Sequence, residues 1–223
     1  MIELNNISFS YGKRSILKNL SFSAGAGECV VLAGPNGSGK STALSVAAGV
    51  LRPVSGTVSV RGTVGFAPQG TALFEDMTVK DNLCFFAGLR KCGVPETLPF
   101  GVERYLNTRV SRLSGGMKKQ VSITCALLGD PEVLLLDEPC ESLDVEFREE
   151  LARIIAGAKA RGGTVVYVGH EPLEFAGFYD RLVFFGGERR EYTRAQLSGD
   201  PAEDLRLCEA FATLFREKEG GAL

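Results

Sequence analysis

The stretch Gly34-Pro35-Asn36-Gly37-Ser38-Gly39-Lys40-Ser41 constrains this chain more than any other. It spells G-x-x-x-x-G-K-[ST], and its surroundings fit that pattern. An apolar run, Cys29 to Ala33, precedes it, and Thr42 to Ala48 can continue as a helix. Glycines at 34, 37 and 39 let the backbone curl so that successive N–H groups point inward as an anion-binding nest. The N-terminus of the following helix aims unpaired N–H groups and a partial positive charge at the same place. Lys40 adds a full charge suited to β- and γ-phosphates, and the Ser41 hydroxyl can hold Mg²⁺. The stretch reads as a nucleotide phosphate-binding loop.

Such a loop needs a core behind it. The 223 residues suffice for one good-sized core, or a core with a small subdomain. The net charge of −2 argues against a nucleic-acid partner or a polybasic membrane surface. No apolar run approaches the roughly 20 residues needed to span a bilayer. The opening Met1 to Asn6 lacks the basic and apolar regions of a signal peptide, so the chain is expected to be cytosolic. Cysteines at 29, 84, 92, 125, 140 and 208 form no C-x-x-C pair, and there is a single histidine. They read as reduced thiols rather than as a metal cluster or disulfide framework.

Residues 2–10 and 16–22 alternate loosely between apolar and polar, with Gly12-Lys13-Arg14 as a hairpin turn and Tyr11 at its tip. Two short strands are expected at 57–60 and 63–67, the second ended by Pro68-Gln69-Gly70. Thr78 to Ala87 reads as a helix with Thr78 as its N-cap, followed by a loop over 88–101 and a short helix near 101–107. A longer helix opens at Leu113-Ser114-Gly115-Gly116-Met117. Met117, Val121, Cys125 and Leu128 mark its apolar face, with Lys118 and Lys119 expected to face away. Val133 to Leu136 is apolar without alternation, as in a strand buried on both faces of a parallel sheet, and it ends in Asp137-Glu138-Pro139. A helix is expected over 146–160. A second buried strand at 164–168 ends at Gly169-His170. In the tail, strands at 181–185 and 188–192 are turned by Gly186-Gly187. An amphipathic helix over 201–218, carrying Leu205, Cys208, Ala212 and Phe215, is expected to pack on the core.

Alternating strands and helices give an α/β core with a mostly parallel sheet, whose ligand lies beyond the carboxyl ends of the strands. The phosphate loop, Asp137-Glu138 and His170 all fall at such ends. Asp137, after a buried strand, is placed to hold Mg²⁺. Glu138 beside it can orient or deprotonate an attacking water.

In this order and spacing the motifs resemble those of the ATP-binding cassette family, the ATPase subunits of ABC transporters, over nearly the whole chain. Leu113-Ser114-Gly115-Gly116-Met117 resembles the family signature Leu-Ser-Gly-Gly-Gln, whose helix N-terminus binds the γ-phosphate of ATP held by a second subunit. Gln69 resembles the Q-loop glutamine, which senses Mg²⁺ and the attacking water. Tyr11 resembles the aromatic that stacks on adenine, Glu141 to Asp144 the D-loop at the dimer interface, and His170 the switch histidine that contacts the γ-phosphate. The departures are Met117 for Gln, Gln120 for Arg, Val145 for Pro and Cys140 for a small hydroxyl residue.

The resemblance implies one domain over residues 1–223. Its P-loop NTPase core would carry an N-terminal antiparallel β subdomain and a small, short helical subdomain inserted over about 70–128, the region that docks a transmembrane partner. It implies ATP and Mg²⁺ as cofactors. ATP would be held by Tyr11, Ile16, Gly34, Pro35, Asn36, Gly37, Ser38, Gly39, Lys40, Ser41 and Thr42. Ser114, Gly115, Gly116 and Met117 would bind it in trans, and Asp144 would serve at the dimer interface. Glu138, His170 and Gln69 would be catalytic, and Ser41, Gln69 and Asp137 would hold Mg²⁺. The expected protein is the ATPase of a transporter, a homodimer or a heterodimer with another such ATPase, beneath a separate permease on the inner face of the cell membrane. A soluble relative acting in assembly, for example of iron–sulfur clusters, is the alternative. The compact length leans towards export.

Overall fold

The computed structural model describes residues 1–140, 143–175, 177–185 and 190–198. The expected Gly186-Gly187 turn and the 201–218 helix lie outside them.

The chain opens with an antiparallel hairpin of β1 (Ile2–Tyr11) and β2 (Arg14–Ala24). Tyr11 pairs directly with Arg14, so the turn is the two residues Gly12-Lys13, with Gly12 at φ 57°. Positive φ at Gly12 is what a two-residue turn between right-twisted strands requires. Ile2, Leu4, Ile7 and Phe9 point inward from β1, and Leu17, Leu20 and Phe22 from β2. After β3 (Cys29–Ala33) and α1 (Lys40–Ala47), β4 (Ser55–Val60) returns to the free edge of β1, giving the order β2-β1-β4.

β3 belongs to a second sheet with β5 (Val64–Ala67), β6 (Val133–Asp137), β7 (Thr164–Val168), β8 (Arg181–Phe184) and β9 (Arg190–Thr193). The order is β5-β6-β7-β3-β8-β9, parallel throughout except for the β8–β9 pair. β3, β6 and β7 are buried at all five positions, which accounts for their unbroken apolar sequence. Their side chains alternate between two cores. Val30, Leu32, Val133, Leu135, Val166 and Val168 join α1 and the hairpin. Leu134, Leu136, Val165 and Tyr167 face α4 (Val145–Ala160), whose Phe147, Leu151 and Ile155 meet them. At ~1.5–3 kcal/mol per buried large side chain, these two layers dominate the favourable side of folding.

Between β5 and β6 lie α2 (Val79–Arg90), a 3-10 turn (Pro99–Tyr105) and α3 (Gly115–Leu127). They share an apolar cluster that includes Val79, Leu83, Val102, Val110 and Val121. Thr78 and Asp81 form a capping box at the start of α2. The helix runs one turn beyond the expected Ala87, passing through Gly88 to an αL cap at Lys91. Arg90 then closes the far end. Its guanidinium donates to the carbonyls of Ala126 (2.7 Å) and Leu128 (2.6 Å), which α3 leaves unpaired, and to Val64 (3.2 Å). The short helix expected near 101–107 is the 3-10 turn, broken early by positive φ at Phe100 and Gly101.

Lys119 does not face away. It is 7% exposed, because α3 is buried on two sides rather than one. Lys119, Ser122, Ile123 and Ala126, at i, i+3, i+4 and i+7, form a second buried stripe.

Candidate functional site

Three neighbouring strands deliver the site. β3 runs into the loop 34–39, β6 ends at Asp137 and leads to Glu138, and β7 leads to His170. Because β6, β7 and β3 are adjacent and parallel, their carboxyl ends open on one edge, as the sequence pattern implies.

Within the loop, Gly34 (φ 141°), Gly37 (φ 76°) and Gly39 (φ 100°) adopt backbone conformations that side chains disfavour. Two of them are also packed tightly. A Cβ at Gly34 would stand 2.3 Å from the Phe185 carbonyl, and one at Gly39 2.8 Å from Leu17. At Gly37 a Cβ would meet nothing within 4 Å, so the loop is open there. Lys40 is buried, and its Nζ donates to the loop carbonyls of Gly34 (2.8 Å) and Pro35 (3.0 Å). Burial pulls its pKa below the usual lysine value, while Glu138 and Asp137 push it back up. The Ser38 hydroxyl is buried inside the loop with no partner. A buried hydroxyl without a bond is costly, and a phosphate oxygen in the cradle would satisfy it.

Beside the loop, the Ser41 hydroxyl donates to Asp137 Oδ1 at 3.0 Å. Burial drives the Asp137 carboxyl above the ordinary aspartate range; the Ser41 bond opposes that and the Glu138 charge adds to it. Glu138 has φ 47°, a left-handed conformation unusual for a residue with a side chain. Its carboxylate accepts from the Gln69 amide at 2.7 Å through Oε2 and touches His170 Nε2 through Oε1. Gln69, Glu138 and His170 thus form one contiguous unit drawn from β5, β6 and β7.

A cleft of about 500 Å³ joins these groups, with Tyr11, Ile16, Gly37, Lys40, Glu138 and His170 on its walls. Asn36, Gly39, Ser41, Thr42 and Gln69 also reach it. Arg14, which the sequence pattern did not single out, lines it beside Tyr11. Tyr11 is 54% exposed, and it meets Phe9 edge-on with centroids 4.9 Å apart. A second, more apolar hollow of about 490 Å³, between the 95–99 segment and α4, lies away from this chemistry.

Ser114, Gly115, Gly116 and Met117 do not line the cleft. Ser114 caps α3, accepting from Met117 N at 3.2 Å, and both Ser114 and Gly115 are exposed. Asp144 is likewise away from the cleft, exposed, and caps α4 through Phe147 N at 2.9 Å. The two segments meet at Gly116, where a Cβ would lie 2.8 Å from the Leu143 side chain. Cys140 is buried, with its thiol pushed up to about 11 by burial. The five described cysteines are free, and no group of three or more His, Cys, Asp or Glu side chains placed to hold a metal ion occurs among the described residues.

The sequence profile described as ABC transporter matches residues 17–141, spanning both the phosphate loop and Asp137-Glu138. The chain belongs to the ABC transporter family. Among curated relatives it is 36% identical over 189 residues to Nod factor export ATP-binding protein I of Paraburkholderia xenovorans (strain LB400), covering 76% of this chain and 62% of the relative. It is 33% identical over 202 residues to Linearmycin resistance ATP-binding protein LnrL of Bacillus subtilis (strain 168), covering 82% and 65% respectively. The chain therefore spans a little under two thirds of these relatives' length. Its fold superposes with a TM-score of 0.82 on a solved ATP binding subunit of an ABC transporter, 26% identical, covering 96% of this chain and 99% of that one. The dimeric bacterial cassette MJ0796 gives a TM-score of 0.75 at 26% identity, covering 87% and 99%. No helix among the described residues is long and apolar enough to cross a membrane.

Proposed function

We propose that this member of the ABC transporter family is an ATPase subunit that drives transport through a separate membrane permease. The observation that carries the reading is one cleft holding the Lys40 ammonium, the Ser41–Asp137 pair and the Gln69–Glu138–His170 unit. The loop amides and Lys40 would bind the β- and γ-phosphates, and Tyr11 would stack on the base with Ile16 beside it. Ser41 and Asp137, with Gln69 near by, suit a divalent cation. The Asp137 carboxylate is buried and its ionisation resisted, a situation that a bound cation reverses. Mg²⁺ held there would neutralise charge on the phosphates. Glu138 would take the proton of the attacking water, and Gln69 and His170 would hold that carboxylate in place.

The exposed start of α3 favours a head-to-tail dimer. Ser114 and Gly115 are exposed and Ser114 to Met117 lie outside their own cleft, so the N–H groups at the head of α3 that no side chain caps suit phosphates bound by a second subunit. Asp144 would lie at the same interface, close to Gly116 through Leu143. The partner copy would be identical or a second ATPase of the family.

For the permease, the exposed Phe74 and Phe85 offer a docking surface. They meet edge-on with centroids 4.8 Å apart, Phe85 packs against Phe86 at 5.4 Å, and Leu89 is 66% exposed near by. A contiguous apolar patch of this kind marks an interaction site. The chain would then sit on the inner face of the cell membrane. The relatives' names, export and resistance, favour outward transport.

Lys40→Ala tests the reading. The loop loses the full charge that faces the phosphates, so ATP affinity and turnover should both collapse. Turnover near the parental rate would exclude this cleft. Co-expression with its partner permease should move the chain to the membrane fraction. A chain that hydrolyses ATP yet stays in the soluble fraction would fit an assembly ATPase instead.

A further inference from the structure

Lys119 sits in α3, five residues beyond the Ser114 cap, and is buried. Its Nζ donates to three backbone carbonyls: Pro68 at 3.0 Å, Gln69 at 3.1 Å and Asp137 at 3.0 Å. An ammonium has three protons, and these three bonds use them all. The acceptors are not equivalent. Pro68 and Gln69 follow β5, whereas Asp137 ends β6.

The Asp137 carbonyl belongs to the peptide that joins Asp137 to Glu138. The other side of that peptide, Glu138 N–H, donates to Val168 O at 3.0 Å. The peptide is thus gripped at both ends, by Lys119 and by β7, and the next residue is Glu138 at φ 47°. A left-handed conformation at a residue with a side chain persists only when its surroundings over-determine it. The same ammonium fixes the backbone of Gln69, whose amide holds Glu138 Oε2 at 2.7 Å.

The geometry points to Lys119 as a positioning residue that sets Glu138 and Gln69 against each other and couples both to the start of α3. The inference rests on the reading of Glu138 as the group that activates water. A partner's nucleotide engaging Ser114 at the head of α3 would load Lys119 about one and a half turns along the same helix. From there the displacement passes to the Gln69 and Asp137 carbonyls in this subunit's own cleft. A rigid helix pinned by one charged group to two strand ends is a short physical route between the two nucleotide sites. A buried cation also strengthens each of these bonds relative to a neutral donor.

The test uses the full chain in the assembly that supports parental turnover, with ATP as the probe. Lys119→Met keeps the stem and removes the donors. Turnover should fall on the order of 10- to 100-fold while ATP affinity stays within about threefold, because misplacing a reacting group slows the chemistry without removing phosphate contacts. Lys119→Arg, which retains charge and donors, should recover most of the rate. In a Gln69→Ala background, Lys119→Met should cost much less than in the parent, since both act through one unit. A lowered melting temperature with parental turnover would make Lys119 a packing staple and overturn the proposal. So would a turnover loss fully additive with Gln69→Ala. Should Lys119→Met fail to fold, Lys119→Arg and Lys119→Gln apply the same criterion. Parental turnover in Glu138→Gln would instead refute the underlying reading, and is read separately from either Lys119 outcome.

Discussion

His170 and Glu138 meet side chain to side chain, imidazole Nε2 against carboxylate Oε1, at the ends of two adjacent strands. Glu138 is 9% exposed and its N–H is bonded into β7, while His170 is half-buried on the cleft wall. In the proposed reading the contact lets His170 hold the carboxylate, and the same imidazole would meet the γ-phosphate. His170→Ala should therefore lower turnover by about 100-fold or more, with ATP affinity within about threefold. Steady-state kinetics with a nucleotide titration would show it. A parental rate would reduce His170 to a structural histidine.

Tyr11 stands at the mouth of the cleft, and stacking does not distinguish one base from another. Tyr11→Ala should weaken ATP and GTP alike, by roughly 3- to 10-fold for a contact worth about 1 kcal/mol. Tyr11→Phe should be nearly silent. Unchanged affinity in the alanine variant would leave Tyr11 as the end of a hairpin strand and nothing more.

Asp137 makes the site costly to keep. Its carboxyl is raised, chiefly by burial and further by Glu138, so the folded chain resists its ionisation more than the unfolded chain does. Between the ordinary aspartate value and the raised one, the folded state binds the extra proton, and stability falls as pH rises. Above that window the penalty stays constant. Asp137→Asn should therefore raise the melting temperature of the nucleotide-free chain at neutral pH, by roughly 2–4 °C per kcal/mol removed. The gain should vanish below the ordinary aspartate range, where both states are protonated. Turnover should be lost in the same variant. A lower melting temperature at neutral pH would show that the charge stabilises the fold.

Most of the site is legible in the sequence because each part carries a local signature. The phosphate loop is a run of glycines between a strand and a helix, and Asp137 ends an apolar run with no alternation. Sequence alone places Lys119 on the exposed side because Met117, Val121, Cys125 and Leu128 define one face so clearly. The opposing signal is the uncharged run Ser122 to Leu128, which marks a helix covered on more than one side. That β4 would leave the parallel sheet to pair with β1 was equally hidden. Both Ser55–Val60 and Val64–Ala67 are short and β-rich, and only packing assigns them to different sheets. The bonds from Arg90 to Ala126, Leu128 and Val64 are closed by distant backbone groups that leave no pattern in sequence.

The proposed sandwiched dimer rests on Ser114 being exposed and outside its own cleft. If Glu138→Gln binds ATP without cleaving it, the ATP-bound dimer should accumulate, rise with ATP and disperse with ADP, as a ligand-linked equilibrium requires. A bulky charged residue at Ser114 should abolish that dimer while leaving nucleotide binding by the single chain intact. Light scattering with each nucleotide reads both outcomes.

The most direct measurement is ATP turnover by Glu138→Gln in the permease-bound complex, with bound nucleotide quantified alongside. Glutamine keeps the shape of the side chain and its oxygen for Gln69 but loses the basicity. The expected result is ATP bound at the parental level, with Lys40, Ser41 and Asp137 intact, and not cleaved. Cleavage at the parental rate would contradict the account, because among the described residues no other carboxylate lines the cleft between Gln69 and His170.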